Sequence, residues 1–247
     1  HDIDYDKFSI EYGDTLVDPK HWDEEPFEAI VSNPPYSIKW EGSDNGLLIN
    51  DPRFAPAGVL APKSKADFAF IMHCLHWLAT NGTAAIVCFP GIMYRGGAEK
   101  KIRKYLIENN YIESIIQLPD NLFYGTNIAT CIMVLKKSKI DNKTLFIDAS
   151  KESIKATNSN RLDSKNIENI LNVYKNRKTE AHLATLVKQE DIEKEDYNLS
   201  VSTYVQTEDI SEVIDISALN VEISKIVEQE NALRIEIDEI IAEIEEA

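Results

Sequence analysis

The chain has 247 residues, 43% of them apolar, and a formal net charge of −16 at pH 7. That length supports one sizeable core plus an appendage, and no run of 18 apolar residues is present from which a membrane-spanning helix would be expected. The acidic balance excludes a chain that holds nucleic acid through its own basic excess, because phosphate contacts dominate such affinity.

The charge is uneven. Residues 208–247 hold 13 acidic and 2 basic side chains, which leaves residues 1–207 with a net of only −5. A basic face can exist locally there, and any DNA binding is expected to be shared with a more basic partner. The acidic start His1-Asp2-Ile3-Asp4 does not read as a secretion signal. Cys74, Cys88 and Cys131 stand in apolar surroundings and read as buried reduced thiols of a cytosolic protein. The five histidines (His1, His21, His73, His76, His182) show no ligand spacing with cysteine, so no metal is expected.

In chain order, residues 8–12 read as a strand ending at Gly13-Asp14-Thr15-Leu16, and 29–32 as the next strand. Residues 37–64 are polar and carry Gly42, Gly46, Pro52, Pro56, Gly58 and Pro62; so long a loop predicts a functional loop or lid. Helical spacing of Phe68, Ile71, Met72, Leu75 and Leu78 predicts a helix over 66–80, closed by Asn81-Gly82. A buried strand over 83–89 follows, ended by Pro90-Gly91, then a helix over 99–110 with a basic face of Lys100, Lys101, Arg103 and Lys104. Strands over 111–118 and 128–135 form a hairpin, and 144–148 is a further short strand. The alternation predicts an α/β fold, a mostly parallel sheet with an antiparallel edge hairpin, over 1–150. Residues 151–207 read as a mixed polar segment with a helix at 164–178. In the tail, 208–247, Leu219, Ile223, Ile226, Glu230, Leu233, Ile237, Ile240 and Ile244 alternate by four and three, a heptad seam broken once by Glu230. A coiled coil fits that spacing better than a helix lying on its own domain, and a basic partner helix would relieve the acidic repulsion.

The most informative stretch is Ala29-Ile30-Val31-Ser32-Asn33-Pro34-Pro35-Tyr36. A short apolar strand stops at two prolines, which keep the backbone extended and out of any ladder. The Asn33 amide oxygen and the Pro34 carbonyl can then accept both hydrogens of one planar NH₂ group, and Tyr36 can stack on the ring that bears it. The end of a strand in an open α/β sheet is where ligands bind. The arrangement suits methylation of an amine conjugated with a ring or an amide, whereas a bare Asn-Pro-Pro is also an ordinary turn.

Taken together with Gly13-Asp14-Thr15-Leu16, Lys63-Ser64-Lys65-Ala66-Asp67-Phe68-Ala69-Phe70, Gly82-Thr83-Ala84-Ala85-Ile86-Val87, Leu118-Pro119-Asp120-Asn121-Leu122-Phe123-Tyr124-Gly125-Thr126, Asp196-Tyr197-Asn198-Leu199-Ser200 and the acidic heptad tail, this stretch makes the chain resemble the methylation subunits of type I restriction-modification enzymes. The resemblance implies a Rossmann-like S-adenosylmethionine-dependent methyltransferase fold and adenine-N6 methylation of DNA. It implies that Asn33, Pro34, Pro35 and Tyr36 form the catalytic loop, with Asn33 and Pro34 accepting from the target amine. Tyr36, with Phe123 as a second wall, would stack on the extruded base. Asp14 and Asp67 would serve the cofactor. Phe123 reads equally as a hairpin anchor, Asp14 as a strand-end turn and Asp67 as a first-turn residue of its helix. DNA, a DNA-specificity subunit docked on 208–247 and a restriction subunit are the implied partners. One departure stands out: nine glycines include no Gly-x-Gly, so the Gly-rich cofactor loop of that fold is missing. The chain is therefore expected to be the C-terminal part of a longer subunit, binding cofactor by itself weakly or not at all. Two other readings remain open: methylation of a protein glutamine amide, whose enzymes share Asn-Pro-Pro-Tyr, and a module that serves mainly to bind a partner.

Overall fold

A computed structural model describes residues 8–22, 25–123, 127–206 and 216–245. Tyr124, Gly125 and Thr126, and the first part of the acidic tail, lie outside the described residues. The chain divides into two units, 1–207 and 208–247.

The first unit is built on a sheet. Strand β1 (Phe27–Ser32) precedes a long connection to helix α1 (Asp67–Trp77), strand β2 (Leu78–Cys88) and helix α2 (Gly97–Glu108). Strands β3 (Ile112–Gln117), β4 (Cys131–Lys136) and β5 (Lys143–Asp148) follow, then a two-residue pair β6 (Ile154–Lys155) and β7 (Asn160–Arg161). Helix α3 (Ser164–Asn176), strand β8 (Ala184–Lys188) and short helices α4 (Gln189–Lys194) and α5 (Val201–Tyr204) complete it.

The six-stranded sheet has the order β1-β2-β4-β3-β5-β8. Strands β1, β2, β3 and β5 run one way, while β4 and β8 run against them. The α/β class and the mostly parallel direction agree with the sequence reading. The hairpin does not sit at the edge as expected: β4 inserts between β2 and β3, and β5 and β8 carry the sheet further. Strand β8 is only five residues in polar surroundings, too short for its apolar alternation to stand out. The segment 151–207 is accordingly more than a polar stretch with one helix, since β8 pairs with β5 and Leu199, Val201 and Val205 enter the core.

Alternation along the strands separates two cores. Ala84, Ile86, Met133, Leu135 and Ile115 meet Phe68, Ile71, Met72 and Leu75 of α1 and Ile102 and Leu106 of α2. Ile116, Val134, Leu145 and Ile147 face the other way, toward Ile170 and Val173 of α3. Full burial of each of these Leu, Ile, Val, Met and Phe side chains contributes about 1.5–3 kcal/mol.

Three sequence expectations need correction. Residues 8–12 form no strand; Ile10 and Tyr12 are exposed, and without a ladder partner an apolar run gains nothing from extension. Helix α1 ends at Trp77 rather than near Thr80, because Leu78 turns extended and pairs with Phe27 of β1. Gly82 therefore lies inside β2 and does not close a helix. Its role is close approach: a Cβ there would meet the Phe27 carbonyl oxygen at 2.8 Å and the Glu28 carbonyl oxygen at 3.0 Å. Gly82→Val is expected to destabilise the unit by about 1–3 kcal/mol through overpacking, read as a fall in melting temperature. An unchanged melting temperature would show that β1 is free to yield.

The long connection 37–64 is a built layer, not an open loop. It forms 3-10 turns at Gly42–Asp44, Leu48–Asn50 and Ala55–Ala57, and Leu48, Phe54 and Ala61 join the first core. In the second unit, α6 (Ile216–Glu245) is one continuous helix whose heptad residues Leu219, Ile223, Ile226, Leu233, Ile237, Ile240 and Ile244 are all exposed. No helix among the described residues is long and apolar enough to cross a membrane.

Candidate active site

Because β1, β2, β3 and β5 share a direction, their carboxyl ends and the start of β4 lie along one side of the sheet. Asn33 leaves β1 there and is exposed, while Tyr36 is half-buried. The Tyr36 hydroxyl donates to Asn33 Oδ1 at 2.9 Å. Burial, aided by the neighbouring Cys88 and Cys131 thiols, pushes the Tyr36 hydroxyl up to about 12, so it stays a donor across the working pH range. One lone pair of the Asn33 oxygen is thus used to orient the amide, and the oxygen can accept a second hydrogen.

The chain after the tyrosine is tied to the start of α1. Ser37 takes a positive φ of 49°, and its backbone N–H donates to Asp67 Oδ1 at 3.0 Å. Ala66 N–H donates to the Ile38 carbonyl at 2.9 Å. Asp67 is buried at 5% exposure, and its Oδ2 has no hydrogen-bond partner among the described residues. It is more than a first-turn residue, because it holds the backbone that follows the Asn-Pro-Pro-Tyr loop.

Asp14 opens a tight turn. Its Oδ1 accepts from Leu16 N–H at 2.9 Å, and its carbonyl accepts from Asp18 N–H at 2.8 Å. A cavity of about 330 Å³ brings this turn and the catalytic-loop candidate together: Thr15, Ile30, Ser32, Pro34, Phe70 and His73 are among its lining residues. Burial, with Arg53 nearby, lowers His73 to about 4, so this imidazole is neutral at working pH.

Phe123 is not among the residues lining that cavity. It is partly buried and packs on the second core, with Leu122 beside it. The Asp196-Tyr197-Asn198-Leu199-Ser200 segment, by contrast, reaches the same side of the sheet. Leu199 N–H donates to the Met93 carbonyl at 2.8 Å, and buried Arg103 donates to the Tyr197 and Ile92 carbonyls, each at 2.8 Å. Arg103 is therefore spent inside the fold and does not belong to a basic surface. Lys100 is paired with Asp196, and Lys104 with Glu108. A second cavity of about 370 Å³ opens there, lined by residues that include Tyr94, Gln117, Asp148 and Ser200.

Sequence reasoning missed Asp51 and Arg53, which sit in the connection read as a loop. A lone Arg-Phe pair between two prolines was the available signal.

The N-6 DNA methylase family model matches residues 1–213. The chain belongs to this family. As an N-6 DNA methylase it is 47% identical to the type I restriction enzyme MpnII methylase subunit of Mycoplasma pneumoniae, over 99% of this chain and 46% of that one. It is 35% identical to the MjaVII methylase subunit of Methanocaldococcus jannaschii, over 99% of this chain and 43% of the relative. A type I restriction-modification methyltransferase subunit of Streptococcus thermophilus superposes with a TM-score of 0.79 at 42% identity, over 83% of this chain and 44% of that one. The chain thus spans about half the length of the relatives it matches. The M protein of EcoKI shares the fold, with a TM-score of 0.59 at 16% identity.

Proposed function

We propose that this chain carries the reacting end of an adenine-N6 DNA methyltransferase, within the methylating subunit of a type I restriction-modification system. The observation that supports this most is the bond from Tyr36 to Asn33 Oδ1, 2.9 Å long, at the carboxyl end of a strand. It presents an oriented acceptor beside an aromatic ring, next to a Pro34 carbonyl that lies beyond the end of the β1 ladder.

The residues present fit part of an S-adenosylmethionine site, without its Gly-rich loop. The cavity between Thr15 and Pro34, about 330 Å³, is large enough for a purine, and Asp14, which does not itself line it, immediately precedes Thr15. The buried Asp67 Oδ2 has no hydrogen-bond partner among the described residues, but it lines neither cavity. When bound, this cofactor supplies a methyl group whose departure leaves a neutral thioether. Asn33 and Pro34 accept the two hydrogens of the target amine and favour a more pyramidal nitrogen. That preference grows toward the transition state, which is what accelerates chemistry. Tyr36 stacks on the extruded adenine and offsets part of the few kcal/mol that flipping costs. Phe123 is assigned the anchoring of its loop on the second core. DNA contact is shared with a specificity subunit held by α6.

Labelled-methyl transfer by the complete assembly is expected to place the label on adenine N6 of duplex DNA. Label on protein glutamine instead would overturn the assignment. Tyr36→Phe keeps the stacking ring and loses the bond to Asn33, so kcat is expected to fall by about 3–10-fold with DNA affinity kept. An unchanged kcat would mean that the amide needs no such orientation.

A further inference from the structure

Arg53 is 1% exposed and among the largest fully buried side chains of the fold. All five of its side-chain N–H groups find acceptors. Nε donates to Asp51 Oδ1 at 2.9 Å, and Nη2 donates to Asp51 Oδ2 at 2.7 Å and to the Leu16 carbonyl at 2.7 Å. Nη1 donates to the Thr15 carbonyl at 2.8 Å and lies 3.1 Å from His73 Nδ1. The guanidinium also stands over the Phe54 ring at 4.7 Å and the Trp22 ring at 5.5 Å.

A buried ion pair is weak evidence for stability in itself, because desolvation cancels much of its attraction. What distinguishes this one is where its backbone acceptors lie. Residue Leu16 is held on both sides: its N–H donates to Asp14 Oδ1 at 2.9 Å, and its carbonyl accepts from Arg53 at 2.7 Å. Thr15 and His73, two of the partners of Arg53, also line the cavity that reaches Pro34. The fork thus links the layer 37–64 to the turn whose Thr15 lines this cavity and whose preceding residue is the exposed Asp14.

We propose that Arg53 is a positioning residue for cofactor binding: it holds the Asp14 turn in the shape that receives the adenosine part of S-adenosylmethionine. This rests on the reading of Asp14 given above. Lysine offers three N–H groups on a point charge and cannot span Asp51 and two carbonyls in a plane.

The test compares Arg53→Lys, Asp14→Asn and Arg103→Lys in the complete assembly, with S-adenosylhomocysteine as the calorimetric probe. Arg103 is an equally buried arginine that donates to carbonyls elsewhere. Arg53→Lys is expected to weaken the probe by about 10-fold or more, with the KM for DNA within about twofold and faster hydrogen exchange at the Leu16 amide. Arg103→Lys is expected to lower the melting temperature and leave probe affinity alone. Should Arg53→Lys fail to fold, Asp51→Asn is read for the same loss. If Asp14→Asn weakens the probe and Arg53→Lys does not, Arg53 only supports the fold and the proposal falls. If neither weakens it, the cofactor reading of the turn has failed and the proposal with it.

Discussion

Replacing Asn33 with alanine in the complete methylating assembly is expected to lower kcat by about 10²–10³-fold, the usual cost of losing one oriented polar group aimed at the reacting atoms. Affinity for duplex DNA should stay within about twofold, because phosphate contacts, not the base pocket, dominate it. The expectation follows from placement. Asn33 is exposed at the end of β1, so its loss opens no cavity in the core. Its Oδ1 is already oriented by Tyr36 at 2.9 Å, so the amide enters the reaction without a reorganisation cost. Tyr36 and the Ser37 tie to Asp67 remain in the variant and keep the loop in shape. Single-turnover methylation with saturating cofactor measures the chemical step directly. Near-normal methylation would remove Asn33 from the chemistry, and a parallel loss of DNA binding would make its role structural.

Changing Ile226 and Ile237 together to glutamate is expected to abolish assembly with the specificity subunit. Both lie on the heptad seam of α6, and each is more than half exposed, at 57% and 56%. Burial of one such side chain in a coiled-coil seam is worth about 1.5–3 kcal/mol. Two lost seam contacts then correspond to about 10²–10⁴-fold in the dissociation constant, before added charge repulsion. Sedimentation of the mixed subunits reads the result. The substitutions lie in 208–247, a unit distinct from the α/β unit, whose melting temperature should not move. Unchanged assembly would mean that the partner grips another surface and that the seam has a different use.

The parts of the molecule that were legible in the sequence are those where local chemistry leaves few choices. Pro34 and Pro35 must end β1, and the heptad run of apolar residues reads as the helix α6. Helix α1 was readable from its apolar spacing, and α1, α2 and α3 were all placed to within two or three residues. Residues 8–12 show the limit of such reading. They alternate like a strand, yet extension is stable only where a neighbour completes the ladder. Gly82 shows the same limit from the other side. Beside Asn81 it looks like a helix stop, while in the fold it is the place where β1 passes too close for a Cβ.

By itself the sequence determined that an amide, two prolines and a tyrosine stand at a strand end, because these residues are adjacent in the chain. Only the tertiary structure decided what holds them. Asp67 reaches Ser37 across 30 positions, and Arg53 reaches Leu16 across 37. Folding also placed β4 inside the sheet and set Phe123 on the second core. Contacts between distant segments depend on which faces pack together, and that is settled by burying the whole core at once.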